Sequence, residues 1–318
     1  MFKPTFSIVV PVYKNATSLP RLIAELSILS AELQGNLEVV FVVDGSPDDS
    51  LQVLLDNLMI NEFSVAVLEL SRNFGSFSAI REGLAYANGE YIAVMAADLQ
   101  EPPSLIKDFF DALTKGEVDI AVGNRTHRSD PFFSRLVSSI YWWTYRRTIH
   151  PDIPRGGVDV FACTRAVAQQ VTALPESNTS LIGLMYWVGY RKVTIPYSRQ
   201  ARADGKSAWT LGRKLRYFTD SIYSFTGFPI VILQSLGIIG LIVSLSLGIA
   251  VTLGWATGAI TEPGYTPLML VITGSTSALL FAIGIVGTYV WRTYENSKQR
   301  PLALVRNVYA SDDNNGSQ

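Results

Sequence analysis

Several of the residues and motifs that mark common functional classes are scarce in this 318-residue sequence. Its single cysteine, Cys163, excludes an internal disulfide bond and is typical of a domain that folds in a reducing compartment. The formal net charge of −1 offers no basic footprint, so we expect no nucleic acid among its partners. The histidines, His127 and His150, lack the spacing of a metal site, and Ser46 has no G-x-S-x-G context, which argues against a hydrolase.

Charge is also absent from two long stretches near the C-terminus. No charged residue occurs between Asp220 and Glu262, and none occurs from Pro263 to Trp291. A helix needs about 20 apolar residues to cross the hydrocarbon core of a membrane, and each stretch is longer than that. The sequence therefore predicts two transmembrane helices within residues 228–292.

Basic residues flank these two stretches on their outer sides only. The loop between them contains Glu262 but neither Lys nor Arg, whereas the outer flanks carry Arg213, Lys214, Arg216, Arg292, Lys298, Arg300 and Arg306. The positive-inside rule then predicts a multi-pass protein of the cell (inner) membrane, with the N-terminal domain and both termini in the cytoplasm. Two spans on a large domain leave apolar surface that self-association would bury, so we also expect a homo-oligomer.

The first 125 residues alternate short apolar runs with helical patterns. Runs typical of buried strands occur at Phe6–Val12, Leu37–Val43, Val65–Leu70, Tyr91–Met95 and Asp119–Gly123. Between them, the patterns predict helices that begin near Leu19, Ser50, Ser76 and Pro103. This alternation predicts an α/β fold with a mostly parallel sheet and helices on both faces. No GxGxxG or GxxxxGK[ST] motif is present, which argues against a Rossmann dinucleotide site or a P-loop.

Polar residues follow the predicted strands at the points where they end. Three such segments are Pro11–Asn15, Asp44–Ser46 and Asp98–Gln100, and the remaining early strand leads into Arg72 and Asn73. In an open α/β sheet, ligands bind beyond the carboxyl ends of the strands, so we expect these segments to converge on one edge.

The residue types at this edge suit a nucleotide whose diphosphate is held by a metal. Asp98 and Gln100 offer oxygen ligands of the kind that Mg²⁺ or Mn²⁺ prefers. Asp44 would accept a hydrogen bond from a base or ribose, Arg72 would face phosphate or sugar, and Asp98 would reach the ribose or the metal. A plainer alternative is that Asp98 only caps the turn before Pro102.

Two later segments combine aromatic and apolar residues with basic ones. They are residues 131–150 and residues 208–226. Such a composition is typical of amphipathic helices that lie in a membrane interface, where they would bring the active site to the bilayer. The alternative is that both helices pack on the domain core or on another subunit.

Seven short motifs, in their order and spacing, resemble those of the polyprenyl-phosphate branch of the family 2 (GT-A fold) glycosyltransferases. They are Val9–Asn15, Val42–Ser50, Leu70–Gly75, Ala79–Gly89, Met95–Pro103, Arg155–Phe161 and Arg199–Ser207. With the two C-terminal spans, the chain is similar over nearly its whole length to bacterial undecaprenyl-phosphate glucosyltransferases and to dolichol-phosphate mannose synthases. The family commonly has an acidic residue where this chain has Ala96, so one metal-facing carboxylate is missing.

The resemblance implies an inverting transfer of a hexose from a nucleotide sugar to a polyprenyl phosphate lipid on the cytoplasmic face. By the resemblance, we expect UDP-glucose as the donor and undecaprenyl phosphate as the acceptor. Donors of aminoarabinose, mannose and GlcNAc are the alternatives. A processive polysaccharide synthase is disfavoured because no Q-x-x-R-W signature is present. A non-enzymatic partner of lipid-linked sugar translocation is the alternative of a different class.

Site residues follow from the motifs that match. The expected nucleotide-sugar contacts are Pro11, Tyr13, Asn15, Asp44, Arg72, Asn73 and Asp98. The expected metal ligands are Asp98 and Gln100, and the expected catalytic residues are Asp98, Asp159 and Arg202. The expected contacts of the lipid phosphate are Arg199, Arg202, Lys206 and Ser207.

Two of these roles have alternatives. Three roles are open for Asp159. It acts as a base, it organises the incoming phosphate through a metal, or it is only part of a turn that includes Gly156 and Gly157. The basic loop with Arg199, Arg202 and Lys206 grips the lipid phosphate, neutralises the leaving diphosphate, or is a solvated loop attracted to anionic lipid heads.

The sequence therefore divides into four regions. By the resemblance, we expect residues 1–130 to form the nucleotide-sugar-binding half and residues 131–227 to form the acceptor side with its interfacial helices. Residues 228–292 hold the two transmembrane helices, and residues 293–318 form a cytoplasmic tail.

Overall fold

The computed structural model describes most of the chain outside the predicted interfacial helices. It describes residues 4–57, 63–125, 153–154, 158, 160–174, 176, 179–198, 219–220, 223, 228–258 and 265–311. The predicted interfacial segment 131–150 and nearly all of 208–226 lie outside the described residues.

A mixed sheet of eight strands organises the described residues. The strands are β1 (Phe6–Val12), β2 (Leu37–Val43), β3 (Ser64–Leu70), β4 (Tyr91–Val94), β5 (Ile120–Arg125), β6 (Phe161–Thr164), β7 (Lys192–Tyr197) and β8 (Val305–Ala310). Their order is β7-β5-β6-β4-β1-β2-β3-β8. The central pairs β4–β1, β1–β2 and β2–β3 are parallel, whereas β6 is antiparallel to β4 and β5, and β8 is antiparallel to β3. The prediction of a mostly parallel α/β sheet is confirmed.

Helices cover both faces of this sheet. The helices of the described residues are α1 (Leu19–Glu32), α2 (Ser50–Asn57), α3 (Ser76–Tyr86), α4 (Pro103–Thr114), α5 (Arg165–Ala173), α6 (Leu181–Trp187), α7 (Phe228–Ala256) and α8 (Tyr265–Ser297). Because side chains alternate along a strand, Phe41 of β2 belongs to the apolar layer that includes residues of α1, α2 and α4, and its neighbour Val40 belongs to the opposite layer, which includes residues of α3, α5 and α6. The central strands are therefore apolar on both faces, which is why their sequences are continuous apolar runs.

Helix α3 lies close to the sheet and is tied to its neighbour α5. A Cβ at Gly83 would collide with the side chain of Val9 in β1, so glycine permits the close approach. On the same helix, the buried guanidinium of Arg81 donates to the carbonyl oxygens of Thr172, Leu174 and Glu176 around the end of α5. Burial lowers the pKa of Arg81, and the positive charge of the guanidinium suits the negative end of the α5 dipole.

The two C-terminal helices are long and expose their apolar side chains. Helix α7 has 29 residues and α8 has 33. Among the described residues, one segment, Gly274–Ser297, is long and apolar enough to cross a membrane, and α7 contributes the shorter apolar segment Ile230–Gly240. Leu280 and Ile283 of α8 are 66% and 64% exposed, so these faces have no protein partner in the described chain.

The chain just before α7 is joined to the end of α8. The guanidinium Nη2 of Arg292 lies 2.6 Å from Oδ1 of Asp220, and Arg292 also lies over the ring of Tyr223. The rings of Tyr223 and Tyr289 meet edge to face at 5.3 Å. These contacts hold the start and the end of the helix pair together, as in a helical hairpin.

The predicted strand boundaries are correct at β1 and β2 and differ by one or two residues elsewhere. The predicted strand Asp119–Gly123 begins at Ile120 and continues to Arg125. It is longer at its end because β7 pairs with it as far as Arg125 and Tyr197. Strands β6, β7 and β8 were not predicted.

Candidate active site

The carboxyl ends of the parallel strands form one edge of the sheet. Since β4, β1, β2 and β3 are adjacent and parallel, the segments that follow them lie side by side. This edge brings together the expected site residues of the first half of the chain, which are Pro11, Tyr13, Asn15, Asp44, Arg72, Asn73, Asp98 and Gln100. The expected convergence is confirmed, and the ligand each residue contacts stays a prediction.

Asp44, at the end of β2, holds the loop that follows β3. Its Oδ1 accepts a hydrogen bond from the backbone nitrogen of Phe74 at 2.7 Å, and its Oδ2 accepts one from that of Gly75 at 2.9 Å. Nδ2 of Asn73 donates a hydrogen bond to the backbone oxygen of Asp44 at 3.1 Å. The structure thus gives Asp44 a positioning role, in addition to the predicted contact with base or ribose.

The electrostatics of Asp44 reflect this buried position. The residue is only 2% exposed, and burial raises the pKa of its carboxyl, against the opposing effects of the Phe74 and Gly75 amides and the charge of Arg72. The next residue, Gly45, has φ +56, and a Cβ there would collide with the backbone of Arg72 and Asn73. The end of β2 and the loop after β3 are therefore in direct backbone contact.

Asp48 organises the loop between β2 and α2. Its Oδ1 accepts from the hydroxyls of Ser46 at 2.5 Å and Ser50 at 2.6 Å, and its Oδ2 accepts from the backbone nitrogen of Ala16 at 3.1 Å. Burial acts to raise the pKa of Asp48, but the hydrogen bonds from Ser46, Ser50 and Ala16 outweigh it and hold that pKa below its usual value. Its position two residues before Ser50 at the start of α2 was the available sequence signal.

The same network fixes the loop after β1. The backbone nitrogen of Lys14 donates to the Ser46 hydroxyl at 2.7 Å, and that of Asn15 donates to the Ser50 hydroxyl at 3.1 Å. The Asn15 side chain in turn accepts from the backbone nitrogen of Tyr13 at 3.0 Å. Lys14 adopts φ +58, and the loop leaves Tyr13 only partly buried at the edge of the sheet. An aromatic ring in this position can stack on a nucleotide base.

Arg72 presents a positive charge at the surface of this edge. Its side chain is exposed, and its Cζ lies 4.2 Å from the centre of the Phe74 ring. A cation over an aromatic face is stabilised in place, so the guanidinium is partly ordered before any ligand binds. A planar guanidinium with several donors suits the oxygens of a phosphate or a sugar.

Asp98 and Gln100 lie in one turn after β4. The backbone nitrogen of Gln100 donates to Oδ1 of Asp98 at 3.3 Å, and the intervening Leu99 has φ +54 and is buried. Asp98 therefore does cap the turn, and both side chains remain partly exposed at the edge. The capping role and a ligand role are compatible, because a carboxylate has four acceptor positions.

The side-chain oxygens at this turn can hold a metal ion only if further ligands come from outside the protein. Within the described ranges, no three His, Cys, Asp or Glu residues are grouped as a metal site. Asp98 and Gln100 offer oxygen, and the position two residues before Asp98 is Ala96. Mg²⁺ and similar ions commonly take one or two carboxylates and complete their shell with phosphate oxygens and water. The residues present fit that arrangement.

The acceptor half of the expected site lies largely outside the described residues. Asp159, Arg199, Arg202, Lys206 and Ser207 all belong to segments that the structure does not describe, and their roles stay predictions. At the same edge, Arg125 and Tyr197 are paired at the ends of β5 and β7, and neither residue was predicted for the site. A basic residue three positions after the apolar run Ile120–Val122 was the signal for Arg125.

The cysteine takes no part in this edge. Cys163 lies within β6, is fully buried, and burial raises the pKa of its thiol to about 12. The thiol is therefore protonated at neutral pH, so it does not serve as a nucleophile.

Comparison with known proteins agrees with the resemblance noted in the sequence. Residues 7–174 match the family described as Glycosyl transferase family 2. The uncharacterized glycosyltransferase sll0501 of Synechocystis is 31% identical over 303 residues, which cover 95% of each chain. The prophage bactoprenol glucosyl transferase homolog of Escherichia coli is 26% identical, over 95% of this chain and 98% of that protein. Among solved structures, the mannosyltransferase PcManGT of Pyrobaculum calidifontis, in complex with GDP-Man and Mn²⁺, is 18% identical with a TM-score of 0.49, covering 95% of this chain and 86% of that one.

Proposed function

The chain belongs to glycosyl transferase family 2, and from this premise we propose that it moves a hexose from a nucleotide sugar to a polyprenyl phosphate lipid at a membrane surface. The main support for the proposal is that four polar segments, each following a strand, meet at one edge of the sheet. The same chain continues into two long apolar helices, α7 and α8. The bactoprenol glucosyl transferase homolog matches nearly the full length, which supports a polyprenyl phosphate acceptor.

The donor binds at the edge formed by β1, β2, β3 and β4. Tyr13 offers a ring for the base, Asp44 offers lone pairs to the base or ribose, and Arg72 faces the diphosphate or the sugar. Pro11, Asn15 and Asn73 shape the loops that carry these groups. We propose UDP-glucose as the donor, and aminoarabinose, mannose or GlcNAc nucleotides are the alternatives within the same reaction.

A divalent cation, Mg²⁺ or Mn²⁺, would be held by Asp98 and Gln100 together with the donor diphosphate. When bound, such an ion neutralises charge on the leaving diphosphate. With Ala96 in place of a second carboxylate, this chain contributes few ligands of its own. The protein residues orient the donor, and the arginines of the site add positive charge beside it.

The reaction proceeds by in-line attack of a phosphate oxygen of the lipid on the anomeric carbon. The new bond joins that oxygen to the carbon, the bond from the carbon to the diphosphate breaks, and the configuration inverts. A phosphomonoester has a second pKa of about 6, so the nucleophile is already an oxyanion at neutral pH. Asp159 therefore needs only to orient the phosphate, and Arg202 balances charge, while positioning lowers the barrier.

The lipid reaches the site from the membrane in which α7 and α8 lie. We propose that both helices cross the bilayer as a hairpin, which the ion pair between Asp220 and Arg292 supports by joining their outer ends. Strands β1–β7 precede the hairpin, and β8 follows it but lies in the same sheet. This shared sheet supports a topology in which the N-terminal domain and the C-terminal tail are on the same side of the membrane. The basic flanks favour the cytoplasmic side. Arg199, Arg202, Lys206 and Ser207 then face the lipid phosphate.

A transfer assay with a panel of nucleotide sugars tests this function. Purified full-length protein in lipid vesicles that contain polyprenyl phosphate is incubated with each radiolabelled sugar nucleotide and Mn²⁺ or Mg²⁺. We expect label in the organic extract for one donor, with a glycosyl phosphate lipid identified by mass spectrometry. Asp98→Asn should abolish transfer, and Asp111→Asn on the exposed side of α4 should not. Transfer by Asp98→Asn at the wild-type rate, or no lipid product with any donor, would contradict the proposal.

A further inference from the structure

The C-terminal strand β8 returns to the edge of the domain sheet after the two long helices. It pairs antiparallel with β3, with Leu68 opposite Val308, Glu69 opposite Asn307 and Leu70 opposite Val305. The register shifts between Glu69 and Leu70, so Arg306 is an extra residue that bends the strand. The ladder joins parts of the chain that are far apart in sequence.

Glu69 is the side chain that fastens this strand. Its carboxylate accepts from Nδ2 of Asn307 at 2.7 Å and from the hydroxyl of Tyr309 at 3.3 Å. Arg306 approaches it at 3.5 Å, but that side chain is 66% exposed, so the ion pair contributes little. One acidic residue of β3 thus holds alternate side chains of β8.

The residues just before β8 reach the start of the donor loop. The backbone nitrogen of Ser71 donates to the carbonyl oxygen of Leu304 at 2.9 Å, and Ala303 is buried in the apolar layer that includes Leu70. Ser71 immediately precedes Arg72, the loop's cation. The loop Arg72–Gly75 is therefore fixed from two sides, by Asp44 from β2 and by the C-terminal segment.

The same segment is short and begins at the end of α8. Residues 298–304 connect Ser297 to Val305. At about 3.4 Å per residue, these seven residues reach about 24 Å at most. At the end of α8, Nζ of Lys298 lies 4.3 Å from the centre of the Tyr294 ring and 5.3 Å from that of Trp291. Exposed Trp and Tyr with a lysine are typical of the membrane–water interface.

We propose that β8 is a tether that fixes the donor loop Arg72–Gly75 to the end of membrane helix α8, with Glu69 as the positioning residue of the tether. This proposal rests on the proposed function, because it assigns the loop to the nucleoside diphosphate of the donor. The tether holds the loop in its binding shape and within a fixed reach of the lipid surface. A lipid-bound acceptor and a water-soluble donor then meet at a set distance.

A simpler role for β8 would be to cover the exposed edge of β3, which protects a sheet from pairing with other chains. Edge protection predicts loss of stability or aggregation when the strand is weakened, with normal donor binding in the molecules that stay folded. The tether proposal predicts instead that the molecules that stay folded bind the donor more weakly. The Michaelis constant for the donor and the exchange of the loop amides separate the two.

The first experiment compares three full-length proteins in vesicles: wild type, Glu69→Ala and Glu69→Gln. Glu69→Ala removes the acceptor of Asn307 and Tyr309, and we expect the donor KM to rise about fivefold with kcat changed less than about twofold. Glu69→Gln keeps an acceptor oxygen and should stay within about twofold of wild type in both constants. Hydrogen–deuterium exchange in peptides that cover residues 71–75 should be faster in Glu69→Ala alone.

A reversible disulfide provides the second experiment. Directly opposed residues of antiparallel strands are about 4.5–5.5 Å apart, which suits a disulfide, so Glu69→Cys and Asn307→Cys are combined. Cys163 is fully buried and does not compete. We expect the reduced double variant to behave like Glu69→Ala, and the oxidised form to recover the wild-type donor KM and loop exchange. Asn307→Cys alone should show no response to oxidation.

The outcomes separate this proposal from the proposed function. If wild type transfers sugar and neither Glu69→Ala nor disulfide oxidation changes donor KM or loop exchange, β8 is not a tether of the donor loop. If wild type transfers no sugar with any donor, the proposed function fails. The exchange measurement still reports whether β8 orders residues 71–75 in that case.

Discussion

Oδ1 of Asp44 lies 2.7 Å from the backbone nitrogen of Phe74, so the carboxylate at the end of β2 fixes the loop that follows β3. The second oxygen binds the next amide, that of Gly75. A buried carboxylate that accepts two backbone amides positions a loop more firmly than a side-chain contact would, because both donors belong to the main chain. The neighbouring Arg72 gains its place at the surface from this arrangement.

Asp44→Asn should therefore disturb the loop even without a ligand. The amide group places N–H donors against a backbone N–H, and a buried unsatisfied donor costs about 1–3 kcal/mol. We expect a lower unfolding temperature in detergent, faster hydrogen exchange in residues 71–75 and weaker nucleotide binding. Unchanged exchange in this peptide would show that Asp44 does not hold the loop.

Arg72→Ala should weaken donor binding and leave the fold intact. The side chain is exposed, and surface substitutions usually change stability by less than about 0.5 kcal/mol. Loss of a charge-assisted contact should raise the donor KM or Kd about tenfold. Arg21→Ala, which removes an exposed arginine from α1, is the control and should bind as wild type. Calorimetry with the nucleotide sugar measures both variants, and equal affinities would exclude Arg72 from the donor site.

Gly45→Ala and Gly35→Ala form a matched pair that separates backbone strain from crowding. Both glycines have positive φ, at +56 and +72, but a Cβ at Gly45 would strike the backbone of Arg72 and Asn73, whereas one at Gly35 would meet nothing within 4 Å. Each substitution should carry the left-handed penalty of about 1–2 kcal/mol. Gly45→Ala alone should also reduce nucleotide affinity. Equal nucleotide binding by the two variants would refute the close contact at Gly45.

Acid should weaken the loop network around Asp48. Its pKa lies below the usual 3.8 in the folded protein, so the folded state binds this proton less readily than the unfolded chain does. The carboxylate therefore contributes stability that is present above pH 3.8 and is lost as the pH falls through the lower, folded-state pKa. We expect Asp48→Asn to be less stable than wild type by about 1 kcal/mol at pH 7 and to lose less stability in this acid range. Parallel acid-unfolding curves for the two proteins would rule out the contribution.

Ala96→Asp should restore a second carboxylate beside Asp98 and increase metal affinity. Divalent cations of this kind are bound through carboxylate oxygens together with substrate phosphates. In transfer assays, the Mn²⁺ concentration for half-maximal activity should fall about tenfold, while Ala96→Ser should change it little. If the metal requirement of Ala96→Asp matches that of wild type, position 96 does not face the cation.

The sequence by itself determined the central sheet and the edge at which its polar strand-end segments meet. Phe6–Val12 and Leu37–Val43 appear in the structure with the predicted bounds, because strands buried on both faces must be continuous apolar runs. Parallel strands joined by helices bring their carboxyl ends to one edge, so the sequence predicted Asp44, Arg72 and Asp98 there. The uncharged C-terminal stretches likewise predicted two transmembrane helices; α7 and α8 are present there as long helices, and that both cross a membrane stays a prediction.

Only the tertiary structure decided which groups bind one another across that edge. The role of Asp44 depends on two amides that reach it after β2 and β3 pair, and one bond of Asp48, from the Ala16 amide, depends on the loop after β1. Strand β8 was not predicted because its residues Val305–Val308 are exposed and its sequence has no buried apolar run. Its pairing with β3 is a main-chain ladder, and the side-chain bond from Tyr309 to Glu69, 240 positions apart, forms only once that ladder is in place. Main-chain groups are the same in every residue, so the sequence cannot specify such a partner until the fold brings the two strands together.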